Sequence, residues 1–438
     1  MKTHLTYEFV QSLIFGEEIE KLEMIFTKVP NIDVNYTDKN GYSLLCFAIH
    51  FGKLKSVQFL IEKGADIHQK NPEFYSEAPL HLAARDFNAE IIQALLSAGA
   101  DINALNTENQ TPLIFALGHE KADIALFKDA GADLLIQDKY NKTALHYAAQ
   151  AGHITAIQDL LAAGLDLHAQ DDAENNVLHY AARAHNHEAL QLLIAAGANI
   201  EACDMYGHTP LHIAAMFAEE ASSQKVAILI AAGANIHATS KDEATPLCMA
   251  VQAGSLEAVQ ALVAAGADIH AKRTNPILSM QFNMKFVNDT LLHKAAINGH
   301  AHIVAFLLEK GIEINAQDDI SASALHYATA AESFDVVKLL VAAGANLNIV
   351  DKDNATPLHV AIITHKNNEL IQYLIDAGAD INMPGKHGNT LLHYAVKDQN
   401  IAITKLLIRA GVNRSLANDG GKAAVHYAKS KKIRELLA

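Results

Sequence analysis

Two patterns of apolar and polar positions alternate along the chain. In one, apolar residues return at helical spacing with polar residues between them, as in Ile157, Leu160 and Leu161 or Ile303, Phe306 and Leu307. In the other, a Leu-His step leads into small residues, as in Leu145-His146 before Ala148-Ala149 or Leu211-His212 before Ala214-Ala215. The first predicts an amphipathic outer helix. The second predicts an inner helix kept thin by alanine, so that its neighbour can approach to about 8–10 Å. A glycine closes each outer helix, where the missing Cβ allows the left-handed conformation that ends a helix, and an extended hairpin such as Ile200 to Gly207 is expected to follow.

The closing glycines are Gly64, Gly99, Gly131, Gly164, Gly197, Gly233, Gly266, Gly311, Gly344, Gly378 and Gly411. The steps between them are 35, 32, 33, 33, 36, 33, 45, 33, 34 and 33 residues, so a period near 33 is broken badly once. Thr143, Thr209, Thr245 and Thr356 stand where a hydroxyl can cap an inner helix. Pro210, Pro246 and Pro357 follow at the first helical position, where a missing N–H costs nothing.

The copies Thr209-Pro210-Leu211-His212-Ile213-Ala214-Ala215 and Thr356-Pro357-Leu358-His359-Val360-Ala361 resemble the Thr-Pro-Leu-His-x-Ala signature of the ankyrin repeat, whose period is also 33 residues. The resemblance covers the chain from about Asn35 onward. It implies an all-α, right-handed curved solenoid of about twelve helix-turn-helix repeats with β-hairpin fingers. The expected organisation is an N-terminal helical cap at 1–35, a repeat array at 36–413 and a C-terminal capping repeat at 414–438 around Val425, Ile433, Leu436 and Leu437. Aligning Ile269-His270-Ala271 and Thr290-Leu291-Leu292-His293 with their counterparts places the extra residues of the long step in an extended finger at 272–289, between two intact helix pairs.

Composition narrows the function. A net charge of -15 argues against binding a phosphate backbone, and the cluster Lys429, Lys431, Lys432 and Arg434 reads as a solvated cap face. No stretch is apolar enough to span a membrane, the Met1-Lys2-Thr3-His4 start does not resemble a secretory signal, and three cysteines do not make a disulfide framework. The expectation is a monomeric cytoplasmic protein.

Nine of the 24 histidines, His81, His146, His179, His212, His293, His326, His359, His393 and His426, hold the Leu-His position. In the ankyrin family that imidazole bonds the loops of neighbouring units. Their expected spacing of about 8–10 Å is too wide to share a metal, so neither a metal nor another cofactor is expected. Cys46 and Cys248 replace the ladder histidine as small hydrophobes. Tyr147, Tyr180, Tyr327, Tyr394 and Tyr427 follow it and read as core packing. A cysteine hydrolase built on a groove Cys and a ladder His is the alternative to a non-enzymatic chain, and no oxyanion site or orienting third residue supports it. Asn103, Asn315, Asn348 and Asn382 end a phrase that related proteins present to asparaginyl hydroxylases.

The function implied by the resemblance is a protein–protein interaction scaffold whose groove and hairpin tips take up another protein or an extended peptide. The candidate partner-binding residues are Tyr42, Phe74, Tyr75, Tyr140, Met205 and Tyr206 at the tips, with Met280, Phe282, Met284, Lys285 and Phe286 in the finger. A chain made of such repeats also resembles, in style, proteins that intracellular bacteria deliver into host cells, where the site of action would be the host cytosol.

Overall fold

The computed structural model describes residues 2–29, 32–38, 41–71, 75–119, 122–271, 289–364 and 367–438, apart from the side chains of 2–6 and 220. Phe74, Met280, Phe282, Met284, Lys285 and Phe286 lie outside the described residues, as does 272–288 of the sequence-defined finger. The chain forms two compact units, Met1–Met205 and Tyr206–Ala438.

The first unit opens with the helices Lys2–Gly16 and Ile19–Lys28. They are joined to the next helix pair by Ser56 Oγ donating to the Ile14 carbonyl (3.1 Å) and the Lys55 N–H donating to Glu17 Oε1 (3.1 Å). Five inner helices follow, Leu44–His50, Pro79–Arg85, Pro112–Ala116, Ala144–Ala151 and Val177–Arg183, each packed on the next. Each is succeeded by an outer helix: Leu54–Glu62, Ala89–Ser97, Ile124–Asp129, Ile154–Ala162 and Glu188–Ala195. Ala148, Ala149, Ala181 and Ala182 are wholly buried, which is the close approach that small side chains permit.

The second unit repeats the scheme with inner helices Pro210–Ala215, Pro246–Ala253, Leu291–Ile297, Ala324–Ala330, Pro357–Thr364 and Leu391–Lys397. Their outer partners are Glu220–Ala231, Leu256–Ala264, Ala301–Glu309, Phe334–Ala342, Asn368–Asp376 and Ile401–Arg409. Across the 45-residue step the inner helices Pro246–Ala253 and Leu291–Ile297 pack directly, and ring nitrogens of His300 and His302 meet the carbonyls of Gln252 and Gly254 at 3.1 Å each. Asp289, placed at the end of the finger by sequence, is buried against the body. The last inner segment, Ala424–Tyr427, is a 3-10 turn, followed by the helix Lys431–Leu437. Ile433 of that end is buried and Val425 is exposed.

One local expectation needs correction. Among the described residues the loops hold single antiparallel bridges, such as Gln317 with Ser323, and no paired strands; Ile200 to Gly207 is a series of turns. The loops close on short internal bonds, such as the Asp138, Asp171 and Asp318 N–H groups donating to the carbonyls of Lys142, Asn175 and Ala322, while other tip N–H groups go to the neighbouring repeat. The expected threonine caps take two forms. Thr245, whose unit carries Cys248, accepts from the Cys248 N–H at 3.3 Å. Thr143 and Thr209 form capping boxes with His146 and His212, whose Nδ1 lies 2.9 Å from each hydroxyl, and Thr356 accepts from the His359 N–H at 3.3 Å while its hydroxyl meets the same ring at 2.8 Å.

Candidate protein-interaction surface

The loop tips are built as a backbone ladder. In the first unit the N–H groups of Thr107, Lys139, Asp172 and Met205 donate to the carbonyls of Tyr75 (2.8 Å), Glu108 (2.9 Å), Tyr140 (3.0 Å) and Ala173 (2.8 Å). In the second unit Lys241 donates to Tyr206 (2.8 Å), Lys352 to Ile320 (2.9 Å) and Asp419 to His387 (3.1 Å). Each of these bonds fixes one tip against a neighbour. Gly207 shows how tight the fit is, since its φ is +79° and a Cβ there would lie 2.9 Å from the Lys241 backbone nitrogen.

Side chains at these tips stay in solvent while the backbone is held. Tyr75 is 63% exposed, Tyr140 47%, Met205 42% and Tyr206 53%, so each offers a large apolar surface on a rigid support. Tyr42 differs. It is half-buried, with its ring 6.0 Å from that of His50, and it lines a small hole with Cys46 and Glu77.

Below the tips, the inner-helix histidines cross-link successive repeats. The backbone N–H three residues earlier donates to Nδ1 of His81, His146, His179, His212, His293, His326 and His393 at 3.1 Å, and of His359 at 3.3 Å. An N–H can only donate, so Nδ1 carries no proton and the ring proton sits on Nε2. Nε2 then donates to a carbonyl of the next repeat: His81 to Gln110 (2.9 Å), His212 to Ala244 (3.0 Å), His293 to Ala322 (3.1 Å), His326 to Ala355 (3.0 Å) and His393 to Lys422 (2.8 Å). Burial, which opposes the charged form, holds His81, His146, His293, His326 and His393 below the ordinary histidine value and brings His359 to about 4. His426, counted with the ladder from sequence, is exposed and turned to its own Ala423 carbonyl.

The asparagines form a second row of cross-links. Oδ1 of Asn35, Asn103, Asn315, Asn348 and Asn382 accepts from the backbone N–H of Asp66, Asp133, Asn346, Asp380 and Asn413 at 2.7–2.9 Å.

The tyrosines after the ladder position are more than apolar filling. The hydroxyls of Tyr147, Tyr180 and Tyr327 donate to loop carboxylates nine residues earlier, Asp138 (2.6 Å), Asp171 (2.5 Å) and Asp318. Burial and then the carboxylate push all three phenols well above the ordinary tyrosine value. The rings of Tyr180 and Tyr327 stand edge-on to the ladder histidine of the preceding repeat, His146 at 5.2 Å and His293 at 5.5 Å. The pairing was hidden in the sequence because the nine-residue spacing has no meaning until the loop folds back. Tyr327→Phe is expected to leave the Asp318 carboxylate short of a donor and to cost about 1–3 kcal/mol in urea unfolding; an unchanged midpoint would show the bond to be idle. In the first unit Lys142 joins this layer, with Nζ 5.9, 5.8 and 5.3 Å from the ring centres of Tyr140, Tyr147 and Tyr180.

The family model for ankyrin repeats in three copies matches residues 80–171, 157–239, 178–273, 216–318, 292–385 and 358–438, and the single-repeat model matches 40–72. The chain belongs to the ankyrin-repeat family. As an ankyrin-repeat protein it is similar to human Rabankyrin-5, 34% identical over 154 residues that are 32% of this chain and 13% of that protein. It is similar to mouse protein phosphatase 1 regulatory subunit 27, 30% identical over 129 residues, 28% of this chain and 82% of the relative. It also resembles the Arabidopsis thaliana E3 ubiquitin-protein ligase KEG, 34% identical over 96 residues, 22% of this chain and 6% of that ligase. The chain thus spans about an eighth of Rabankyrin-5 and most of the phosphatase subunit.

In this ankyrin-repeat chain Cys46 and Cys248 are buried at ladder positions and Cys203 is exposed. Burial pushes the Cys46 thiol up, and burial with the neighbouring Asp204 and Glu201 does the same to Cys203, the opposite of what a thiolate nucleophile requires. Among the described residues no helix is long and apolar enough to cross a membrane.

Proposed function

We propose that this ankyrin-repeat protein is a non-enzymatic scaffold that binds another protein or an extended peptide along its loop tips and the adjoining inner-helix face. The observation that carries the reading is the row of exposed Tyr75, Tyr140, Met205 and Tyr206 side chains on loops tied repeat to repeat by backbone hydrogen bonds. Rigid aromatic anchors lose little entropy on binding. The similarity to a phosphatase regulatory subunit and to a ubiquitin ligase fits a module that recognises proteins. Met280, Phe282, Met284, Lys285 and Phe286 belong to the proposed surface on their sequence, with the basic residues of that segment steering an acidic partner. The same proposal carries about twelve repeats, caps at 1–35 and 414–438, a monomeric cytoplasmic state and the host-directed role.

The test is affinity capture from host-cell lysate with the whole chain, with a Tyr75→Ala/Tyr140→Ala/Tyr206→Ala variant, and with Pro276 to Val287 deleted. The triple variant is expected to keep its circular dichroism and to lose the captured proteins. An identical capture profile would refute the tip surface, and unimpaired capture by the deletion would remove the finger from it.

A further inference from the structure

A second surface lies at the other end of the inner helices, about 10 Å from the tips by the length of a seven-residue helix. Here the first unit gathers aromatic side chains. The rings of Phe15 and Phe51 meet edge-on at 5.2 Å, Phe47 and Phe51 at 4.7 Å, and Phe87 lies over His119 at 6.1 Å. Phe51 and Phe87 face a cleft of about 490 Å³ with Ile49 and Ala83 also in its lining. That volume lies within the range of ligand-binding clefts.

The backbone at Phe87 marks the site. The residue before the cap of an outer helix has positive φ in most of the described repeats, where the chain uses Gly52 (+66°), Gly152 (+70°), Gly254 (+87°) and Gly299 (+73°), or a straight-chain residue such as Glu332 (+55°) or Gln399 (+54°). Phe87 takes the same left-handed conformation at +43°, which is strained for a bulky side chain. Glycine serves four other repeats at this place, so the turn itself does not require an aromatic, and the Phe87 ring packs over His119 of the next repeat. The strain holds a ring at the cleft wall.

Charge selects the occupant. The carboxylates lining the cleft are Asp86 and Glu90, and neither is in an ion pair with a described residue. Of the neighbouring cations, Lys53 sits over the Phe15 ring at 4.7 Å and Arg85 is paired with Glu77. Asn88 Oδ1 already caps the helix Ala89–Ser97 by accepting from the Ile91 N–H, so that N-terminus offers little to an anion. A second copy is disfavoured, because an isologous contact would set Asp86 and Glu90 against their own kind on a chain of net charge -15.

We infer that the Phe51–Phe87 cleft docks a peptide segment in which a large apolar side chain is flanked by Lys or Arg, the apolar group seated between the rings and the cation at Asp86 and Glu90. This surface is separate from the loop tips, so either can fail without the other.

The probes are fluorescein-labelled dodecamers carrying Leu or Phe flanked by two lysines, with matched peptides in which Glu replaces Lys, read by fluorescence polarisation on the whole chain. The Lys peptides are expected to bind and the Glu peptides not. Phe87→Gly should weaken binding at least about tenfold, the loss of one anchor, while melting no lower than the parent because glycine relieves the strained φ. Asp86→Lys with Glu90→Lys should transfer preference to the Glu peptides, and the tip variants should bind as the parent does. Equal binding of the two peptide sets, or preference unmoved by the Asp86/Glu90 exchange, overturns the proposal. A dimer in sedimentation velocity that Phe87→Gly abolishes would also overturn it, in favour of self-association. Should Phe87→Gly fold poorly, the charge exchange at the two exposed acids decides alone.

Discussion

Acidification from pH 7 to pH 5 is expected to destabilise the repeats severely, before most carboxylates titrate. The ladder histidines are neutral by geometry, because each Nδ1 takes a backbone N–H and a proton there would face another donor. In the unfolded chain they titrate near about 6.5; in the folded chain His359 titrates at about 4, and His81, His146, His293, His326 and His393 are shifted the same way. Between these values the unfolded chain binds more protons than the folded one, so stability is fully present above 6.5 and is lost as pH falls towards 4. For His359 alone the loss at pH 5 is about 2 kcal/mol. The other five add to it. Urea unfolding followed by circular dichroism at pH 7, 6 and 5 should show the midpoint dropping steeply, with His359→Leu shallower in its pH dependence. A midpoint that stays level from pH 7 to 5 would mean that the ladder does not resist protonation.

The second large effect is expected at Lys294. It occupies the position where other repeats carry tyrosine, and its Nζ donates to Asp289 Oδ2 at 2.6 Å with both residues buried, at 8% and 7% exposure. Asp289 Oδ1 has no partner among the described residues, so the carboxylate depends on the lysine. Lys294→Met should cost about 3–5 kcal/mol, since it leaves a buried charge uncompensated, whereas adding Asp289→Leu should recover most of the loss. The two variants measured together by urea unfolding separate the pair's net worth from the cost of stranding one charge. A Lys294→Met protein within about 1 kcal/mol of the parent, the worth of an exposed pair, would show that water reaches Asp289.

The two sites also show where sequence reading stopped. Lys294 could be recognised as the odd residue after a Leu-His step, but its partner five residues away could not be named until the loop was folded against the helix. Phe87 could be recognised as an aromatic where other repeats have glycine only once the turn was known to have positive φ.

By itself the sequence determined the repeat. The 33-residue period, the alternation of thin inner and amphipathic outer helices, the Leu-His ladder and the closing glycines are local chemistry, legible because each repeat restates the same helical spacing and the same need for a residue without Cβ. Only the tertiary structure decided how one repeat grips the next: the backbone ladder at the tips, the Nε2 and asparagine cross-links, the Tyr–Asp pairs, and the cleft that turns Phe51, Phe87, Asp86 and Glu90 into one surface. Those contacts join residues about 30 positions apart or across a turn, and their partners are often backbone atoms, which every residue possesses and no sequence pattern can mark.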